Sequence, residues 1–323
     1  MKVLITGATG FIGRHLLASL INQPATELFV LVRNRQKLEP SLLPAVSLLE
    51  GNLLALPPLP PGLDVVFHLA GLTKAAKATD YYNVNQQGTA SLLKALDGQS
   101  KKIKFIYLSS LAAVGPAAKA RAAREDDPPQ PINPYGRSKL LGEKEVLGHQ
   151  SRLNVVIIRV GGVYGPGDRD FLTFFRFINR GLLPIFDSGR MRMSLCYVQD
   201  LVNFLLLAAR KDLNSGEIFH LADANFYTWE QVGQTAARLL GKKTLKIKAP
   251  SWLVFFIAAV SQGFSRLTNK PSVINLDKYK EMKAAFWTAD ASKAQRVLGF
   301  QPQYDLEKGL AETLSWYQQK GWL

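Results

Sequence analysis

Tyr135 and Lys139 stand four residues apart, so any helix containing both places them on one face. A tyrosine with an ordinary pKa of about 10 is a poor base at neutral pH, but a lysine ammonium within a few ångströms favours the phenolate. Such a pair can transfer a proton. The Y-x-x-x-K spacing alone is weak, because it recurs at Tyr279/Lys283 and Tyr304/Lys308. Only Tyr135 follows, by twenty-five residues, a serine (Ser110, beside Ser109) at the end of a candidate core strand, Lys104 to Ser109.

A second chemical feature opens the chain, where the apolar run Val3 to Ile5 leads into Gly7-x-x-Gly10-x-x-Gly13 and then a helical pattern through Phe11, Ile12, Leu16, Leu17, Leu20 and Ile21. A strand, a glycine turn and a helix let backbone approach a phosphate, and the helix start aims free N–H groups and a positive dipole end at it. A pyrophosphate is the expected guest. The spacing departs from G-x-G-x-x-G, so the turn by itself does not settle the matter.

The positioning elements follow in alternation. Glu27 to Arg33 reads as a second strand, Val46 to Glu50 as a third, Asp64 to Ala70 as a fourth, Asp80 to Leu96 as a helix, and Asn133-Pro134 as the start of the Tyr135 helix. Strand–helix alternation predicts an α/β fold, a Rossmann-type doubly wound parallel sheet, with ligands at the carboxyl ends of its strands. Arg33, with Arg35 close behind, ends the second strand where an adenosine ribose is met. A base there suits the 2′-phosphate of NADP better than the 2′-hydroxyl of NAD, so NADP is favoured and NAD remains an alternative. His68, inside a strand, reads as a satisfied buried imidazole. The stretch from Gly115 to Pro134, rich in alanine, charge and proline, reads as an exposed, mobile loop.

With 323 residues the chain can bury a large core. Its single cysteine, Cys196, cannot form an internal disulfide, and no secretory segment precedes the first strand, so a cytoplasmic setting is expected. The four histidines show no metal-ligand spacing, and no metal is expected. A net charge of +15 fits nucleic acid, an anionic membrane or a phosphate-bearing ligand. The bases are scattered through short clusters at 101–104, 119–124 and 242–248 without a nucleic-acid module, which places nucleic acid last.

Taken together, Gly7-x-x-Gly10-x-x-Gly13, Phe67-His68-Leu69-Ala70-Gly71, Ser109-Ser110, Tyr135-x-x-x-Lys139, the Arg159 to Pro166 run (R-V-G-G-V-Y-G-P) and Tyr197-Val198-Gln199-Asp200 resemble the extended short-chain dehydrogenase/reductases over nearly the whole chain. The resemblance implies that Ser110 polarises the substrate oxygen, Tyr135 transfers its proton, and Lys139 lowers the tyrosine pKa while holding the nicotinamide ribose. It also implies cofactor contacts from Gly7, Thr9, Gly10, Phe11, Ile12 and Gly13 at the pyrophosphate and from Arg33 at the adenosine end. Asn52, Leu53, Leu69, Ala70, Gly71, Ser109 and Val163 complete the implied cofactor set. Asn52 stands where relatives often carry an aspartate, and Val160 where they carry a proline.

The same resemblance divides the chain into a cofactor domain at 1–165 and a substrate lobe at 166–323, with about 196–223 returning to the first. Phe171, Phe174, Phe175 and Phe177 at helical spacing read as core. Trp252 to Phe264 is the most apolar stretch; its thirteen residues fall short of the ~20 that span a bilayer. Burial in the lobe is the first expectation, with an interface between copies or a membrane-resting segment as the alternatives. That segment and the Ser292 to Phe300 run (S-K-A-Q-R-V-L-G-F) resemble the branch near 3β-hydroxysteroid dehydrogenases and dihydroflavonol-type reductases. That branch acts on bulky, hydrophobic substrates, so a hydrophobic ketone or alcohol is the expected substrate. Nucleotide-sugar epimerases and dehydratases share the front half, and Arg176, Arg180, Arg190 and Arg192 could hold a diphosphate. A third reading is a cofactor-binding regulatory subunit without catalysis.

Overall fold

The computed structural model describes residues 1–21, 23–99, 102–118, 121–185, 191–268, 272 and 275–323. Arg190, named above, and the first residues of the basic clusters at 101–104 and 119–124, Lys101 and Lys119, lie outside them. The first half alternates β1 (Lys2–Thr6), α1 (Phe11–Ile21), β2 (Glu27–Val32), β3 (Ser47–Glu50), β4 (Val65–His68), α2 (Ala78–Tyr82), α3 (Gly88–Leu96), β5 (Lys104–Ser110), α4 (Leu111–Val114), α5 (Pro134–Gly148) and β6 (Asn154–Val160). The second half runs through β7 (Gly162–Tyr164), α6 (Leu172–Asn179), β8 (Leu182–Ile185), β9 (Arg192–Tyr197), α7 (Val198–Arg210), β10 (Glu217–Leu221), β11 (Phe226–Tyr227) and α8 (Trp229–Leu239). It ends with β12 (Leu245–Lys248), α9 (Ser251–Thr268), α10 (Leu276–Lys283), β13 (Phe286–Trp287), α11 (Ser292–Leu298) and α12 (Leu306–Gln319).

The main sheet is seven-stranded in the order β10-β6-β5-β4-β1-β2-β3, with every pairing parallel. The chain reverses its direction of winding between β1 and β4, and such a switch point opens a crevice at the carboxyl ends of those strands. Alternate residues of each strand feed two cores. Val3, Ile5, Val30, Phe67, Ile106 and Val156 pack against α1 and α7. Leu4, Phe29, Val66, Phe105, Tyr107 and Val155 face α3 and α5. Burial on both faces is why these strands read as continuous apolar runs.

A separate core gathers Phe171, Phe174, Phe175, Ile178, Leu195 and Tyr317 between α6, α8, β9 and α12. The phenylalanines expected to be core are so, apart from Phe177, which is exposed. Asp200 of the V-x-D segment accepts the backbone N–H groups of Gln303 and Tyr304 at 2.9 and 3.0 Å, fixing the approach to α12.

Two expectations need correction. The described part of the loop after Gly115 is tied down: Ala117 and Ala123 donate to the carbonyls of Phe286 and Thr288 at 2.7 and 2.9 Å, and Asp290 N–H returns to Ala123 at 2.8 Å. Its small residues let it lie flat along the end of β13. The second concerns Trp252 to Phe264, which is not buried in the lobe. It lies in α9, where Trp252, Phe256 and Phe264 are 70%, 61% and 66% exposed. No helix among the described residues is long and apolar enough to cross a membrane.

Candidate active site

The β1–α1 turn is shaped by its glycines. Gly7 sits at φ +79°, where a side chain is strained, and a Cβ there would come within 2.7 Å of the Ala70 nitrogen. A Cβ on Gly13 would reach 2.1 Å from the Gly7 carbonyl oxygen, so α1 can pack against the turn only through glycine. Gly10 is exposed, Thr9, Phe11 and Ile12 are half-buried around it, and α1 opens at Phe11. Its first N–H groups have no intrahelical partner, a fit for an anionic group lying over the turn. Thr6 fixes the neighbouring strand end: its hydroxyl bonds His68 Nδ1 at 2.7 Å and accepts from Ala70 N–H at 3.2 Å. His68 Nε2 meets the Thr89 hydroxyl at 2.9 Å, so the imidazole is satisfied at both nitrogens; burial pushes its pKa down to about 3.

Arg33 follows β2 directly, exposed and without an ion pair among the described residues. Asn52 is exposed as well, and its side-chain oxygen accepts the Leu54 and Ala55 N–H groups at 2.9 and 3.0 Å, closing its own turn. Leu53 is buried under Gly88. Leu69, Ala70 and Val163 are half-buried and Gly71 is exposed.

Helix α5 starts at a proline, with Asn133 as its cap accepting Gly136 N–H at 2.7 Å. That cap sets the rotation of the helix, which turns Tyr135 toward β5 and Tyr81, with ring centroids 5.9 Å apart. The Ser110 hydroxyl interacts with the Tyr135 hydroxyl. It also caps α4 by accepting Ala112 N–H at 3.1 Å. Lys139 is buried, donates to the Leu108 carbonyl at 2.7 Å and lies 4.1 Å from the centre of the Tyr107 ring. A Cβ on Gly71 would lie 3.8 Å from its Nζ, so the end of β4 and the lysine border one space.

Burial pushes Lys139 down to about 7, against an opposing pull from Glu143. Tyr135 moves the other way, up to about 12, because burial outweighs its interaction with Ser110. The lowered tyrosine pKa expected from Lys139 is thus reversed in this geometry. The ammonium is directed at the Leu108 carbonyl and does not figure among the groups that shift Tyr135.

Three partners escaped the sequence reading. Asn85 sits in a π-helical turn at Asn83–Gln87 between α2 and α3. Its amide accepts Leu72 N–H at 2.7 Å and donates to the Leu72 carbonyl and the Ser138 hydroxyl at 3.0 and 2.9 Å. Those bonds hold the segment after Gly71 against α5, and a π turn inside a helix often marks such a site. The other two are Glu143 and Arg159, a buried pair at 2.8 Å with side chains 2% and 3% exposed. Strand register places Arg159 beside Ser109, and the Ser109 hydroxyl donates to Glu143 at 2.5 Å. The Ser109 side chain, named above as a cofactor contact, is therefore engaged with Glu143, on the face of β5 opposite to that of Ser110. Glu143 lies four residues after Lys139, a signal the sequence did contain. Asn85 had no comparable signal, because no spacing in the sequence marks the turn that carries it.

The sequence signature of the NAD dependent epimerase/dehydratase family matches residues 3–222. A ceramide reductase of Caulobacter vibrioides (strain NA1000 / CB15N) is 32% identical over 99% of this chain and 96% of its own length. The human 3 beta-hydroxysteroid dehydrogenase type 7 is 28% identical over 98% of this chain and 95% of its own. Among solved structures, MoeE5 in complex with UDP-glucose and NAD superposes with a TM-score of 0.80 at 26% identity, covering 99% of each chain.

Proposed function

The chain belongs to the NAD dependent epimerase/dehydratase family, an enzyme family, and from that premise we propose that it is an NADP-preferring oxidoreductase acting on a ketone or secondary alcohol of a bulky, hydrophobic substrate. The observation that carries the chemistry is the meeting of Ser110 and Tyr135 at the carboxyl end of β5, with Lys139 bordering Gly71. When bound, the nicotinamide supplies or accepts the hydride. Ser110 orients the substrate oxygen by donating its hydroxyl proton in a hydrogen bond. Tyr135 transfers the proton to or from that oxygen, and Lys139 holds the adjoining ribose hydroxyls. A phenol whose pKa is pushed up to about 12 keeps its proton at neutral pH, which suits donation to a carbonyl and so favours reduction. The rate of alcohol oxidation should climb from pH 7 toward 10 while ketone reduction stays level or falls.

The hydrophobic substrate is supported by the full-length likeness to a ceramide reductase and to a steroid dehydrogenase. NADP preference is supported by exposed Arg33 at the end of β2. A second reading, a nucleotide-sugar epimerase or dehydratase, draws on the neighbour solved with UDP-glucose and NAD. Of the arginines that could serve it, Arg176 donates to the Trp322 carbonyl at 3.0 Å, and Arg180 and Arg192 are exposed.

The deciding experiment offers purified protein long-chain ketones, steroid-like ketones and UDP-sugars, following nicotinamide absorbance and product identity together. Turnover of a hydrophobic ketone with NADPH is the expected result. Interconversion of UDP-sugars without net cofactor change, with no response to ketones, overturns the proposal in favour of the second reading. A homodimer remains compatible with either.

A further inference from the structure

Helix α9 is built inside out. Trp252, Phe255, Phe256, Ile257, Val260 and Phe264 are exposed, while its inward side carries small and polar residues. Ala258 and Ser265 are buried. The Ser261 hydroxyl bonds that of Ser272 at 2.5 Å, and Gln262 accepts Leu276 N–H at 3.0 Å. At 100° per residue the exposed aromatic and aliphatic side chains fill one side of the helix and these partners the other. Rolling the helix to hide the aromatics would break both polar contacts, turning Ser261 and Gln262 to solvent and taking from the Leu276 N–H its acceptor. An exposed apolar face of this extent marks a binding surface.

We propose that this face docks on an anionic lipid bilayer, with α9 lying in the plane of the surface. Tryptophan and phenylalanine are the side chains that settle at the boundary between headgroups and acyl chains. Charge complementarity selects the partner. Strand β12, ending two residues before α9, alternates exposed Leu245 and Ile247 with exposed Lys246 and Lys248, and Lys242 and Lys243 precede it. Lys246 pairs with Glu230, and in α10 Lys278 and Lys280 pair with Glu281 and Asp277. Lys242, Lys243, Lys248 and Lys283 have no ion pair among the described residues. Two copies of a chain carrying +15 charges would bring these lysines together if they paired through α9, whereas acidic headgroups neutralise them.

The docking face is joined to the site through one helix. Phe255 meets the Tyr279 ring edge-on at 5.4 Å on α10. Glu281 of α10 accepts from Asn133, the cap of α5, and its carbonyl accepts from Trp287 Nε1 at 2.9 Å. The docking itself does not depend on which reaction the site performs.

The test sediments the full chain with vesicles of phosphatidylcholine alone and with phosphatidylglycerol mixed in, without substrate. Saturable binding to the anionic vesicles, weakened by salt, is expected; the double variant Trp252→Glu/Phe256→Glu should bind them at least about tenfold more weakly. Lys243→Glu/Lys248→Glu should lower anionic-vesicle binding by a smaller factor. Circular dichroism and NADPH binding establish that each variant is folded, and both pairs are exposed. Absence of vesicle binding by the wild type overturns the proposal, as does binding that Trp252→Glu/Phe256→Glu leaves intact. A dimer in light scattering that this variant dissociates, without vesicle binding, assigns the face to a second copy and overturns it equally.

Discussion

Helix α5 is polar in sequence and places Ser138, Lys139 and Glu143 inside the protein; helix α9 is the most apolar stretch and turns Trp252, Phe256 and Phe264 to solvent. Each inverts the usual distribution, and the physical cost differs. In α5 a buried charge must find partners: Lys139 has the Leu108 carbonyl, and Glu143 has Arg159 and Ser109. In α9 exposed apolar area forgoes burial that folding would otherwise gain. A helix that accepts the first cost holds reactive groups in fixed positions, and a helix that accepts the second keeps a surface for something outside the chain. The comparison can be broken by substitutions whose effects differ in kind.

The largest effect is expected at Tyr135. General acid–base assistance contributes about 10²–10⁴-fold, so Tyr135→Phe should cut turnover of a proven ketone substrate by about that factor with an unchanged melting temperature. Undiminished turnover would remove Tyr135 from the proposed site.

Next comes the buried pair on the same helix. Removing one member leaves the other charge buried alone, so Glu143→Ala should destabilise the fold by about 3–5 kcal/mol in urea titrations. The double variant Glu143→Leu/Arg159→Met should recover most of it. A double-variant loss equal to the sum of the Glu143→Leu and Arg159→Met losses would mean that the pair is not coupled. Lys139 adds a pH signature. Burial holds its folded pKa at about 7, below the ordinary lysine value of 10.5, so between those limits the unfolded chain binds a proton that the folded chain lacks, and stability rises with pH. Wild-type stability minus that of Lys139→Met should therefore increase from pH 7 to 10.5, and a flat difference would refute a depressed lysine.

A smaller effect, on binding alone, is expected at Arg33. A hydrogen bond to a charged group contributes roughly 1.5–3 kcal/mol, so Arg33→Ala should weaken NADPH binding by about tenfold or more, leaving NADH binding and the melting temperature alone. Equal losses for both cofactors would place Arg33 outside adenosine recognition.

The contrast also explains what could be read from the sequence. The glycine turn, the parallel sheet and the Tyr135 helix were legible because each is local: a period, a turn residue or a spacing states the geometry. The tyrosine pKa was not, because its direction depends on how much burial surrounds Tyr135 and on where Lys139 is aimed. Strand register brings Arg159 to Ser109 and α5 brings Glu143 to both, a convergence no single stretch announces. For α9 the obstacle is different. A run such as W-L-V-F-F-I-A-A-V is apolar around the whole circumference, so it has no period to say which side faces in, and only the polar contacts of Ser261 and Gln262 decide it.

The smallest expected effect is the sharpest on that last point. Phe175, in α6, is fully buried among the aromatic residues of the second core, whereas Phe256 is 61% exposed. Deleting a buried phenylalanine ring costs about 3–5 kcal/mol through lost transfer energy and the cavity left behind. Surface substitutions away from caps and networks stay within about 0.5 kcal/mol. Phe256→Ala should therefore leave the urea midpoint of the isolated protein almost where it was, while Phe175→Ala shifts it far downward. If Phe256→Ala costs as much as Phe175→Ala, α9 packs against its own lobe in solution, the inversion disappears, and the difference drawn between the two helices goes with it.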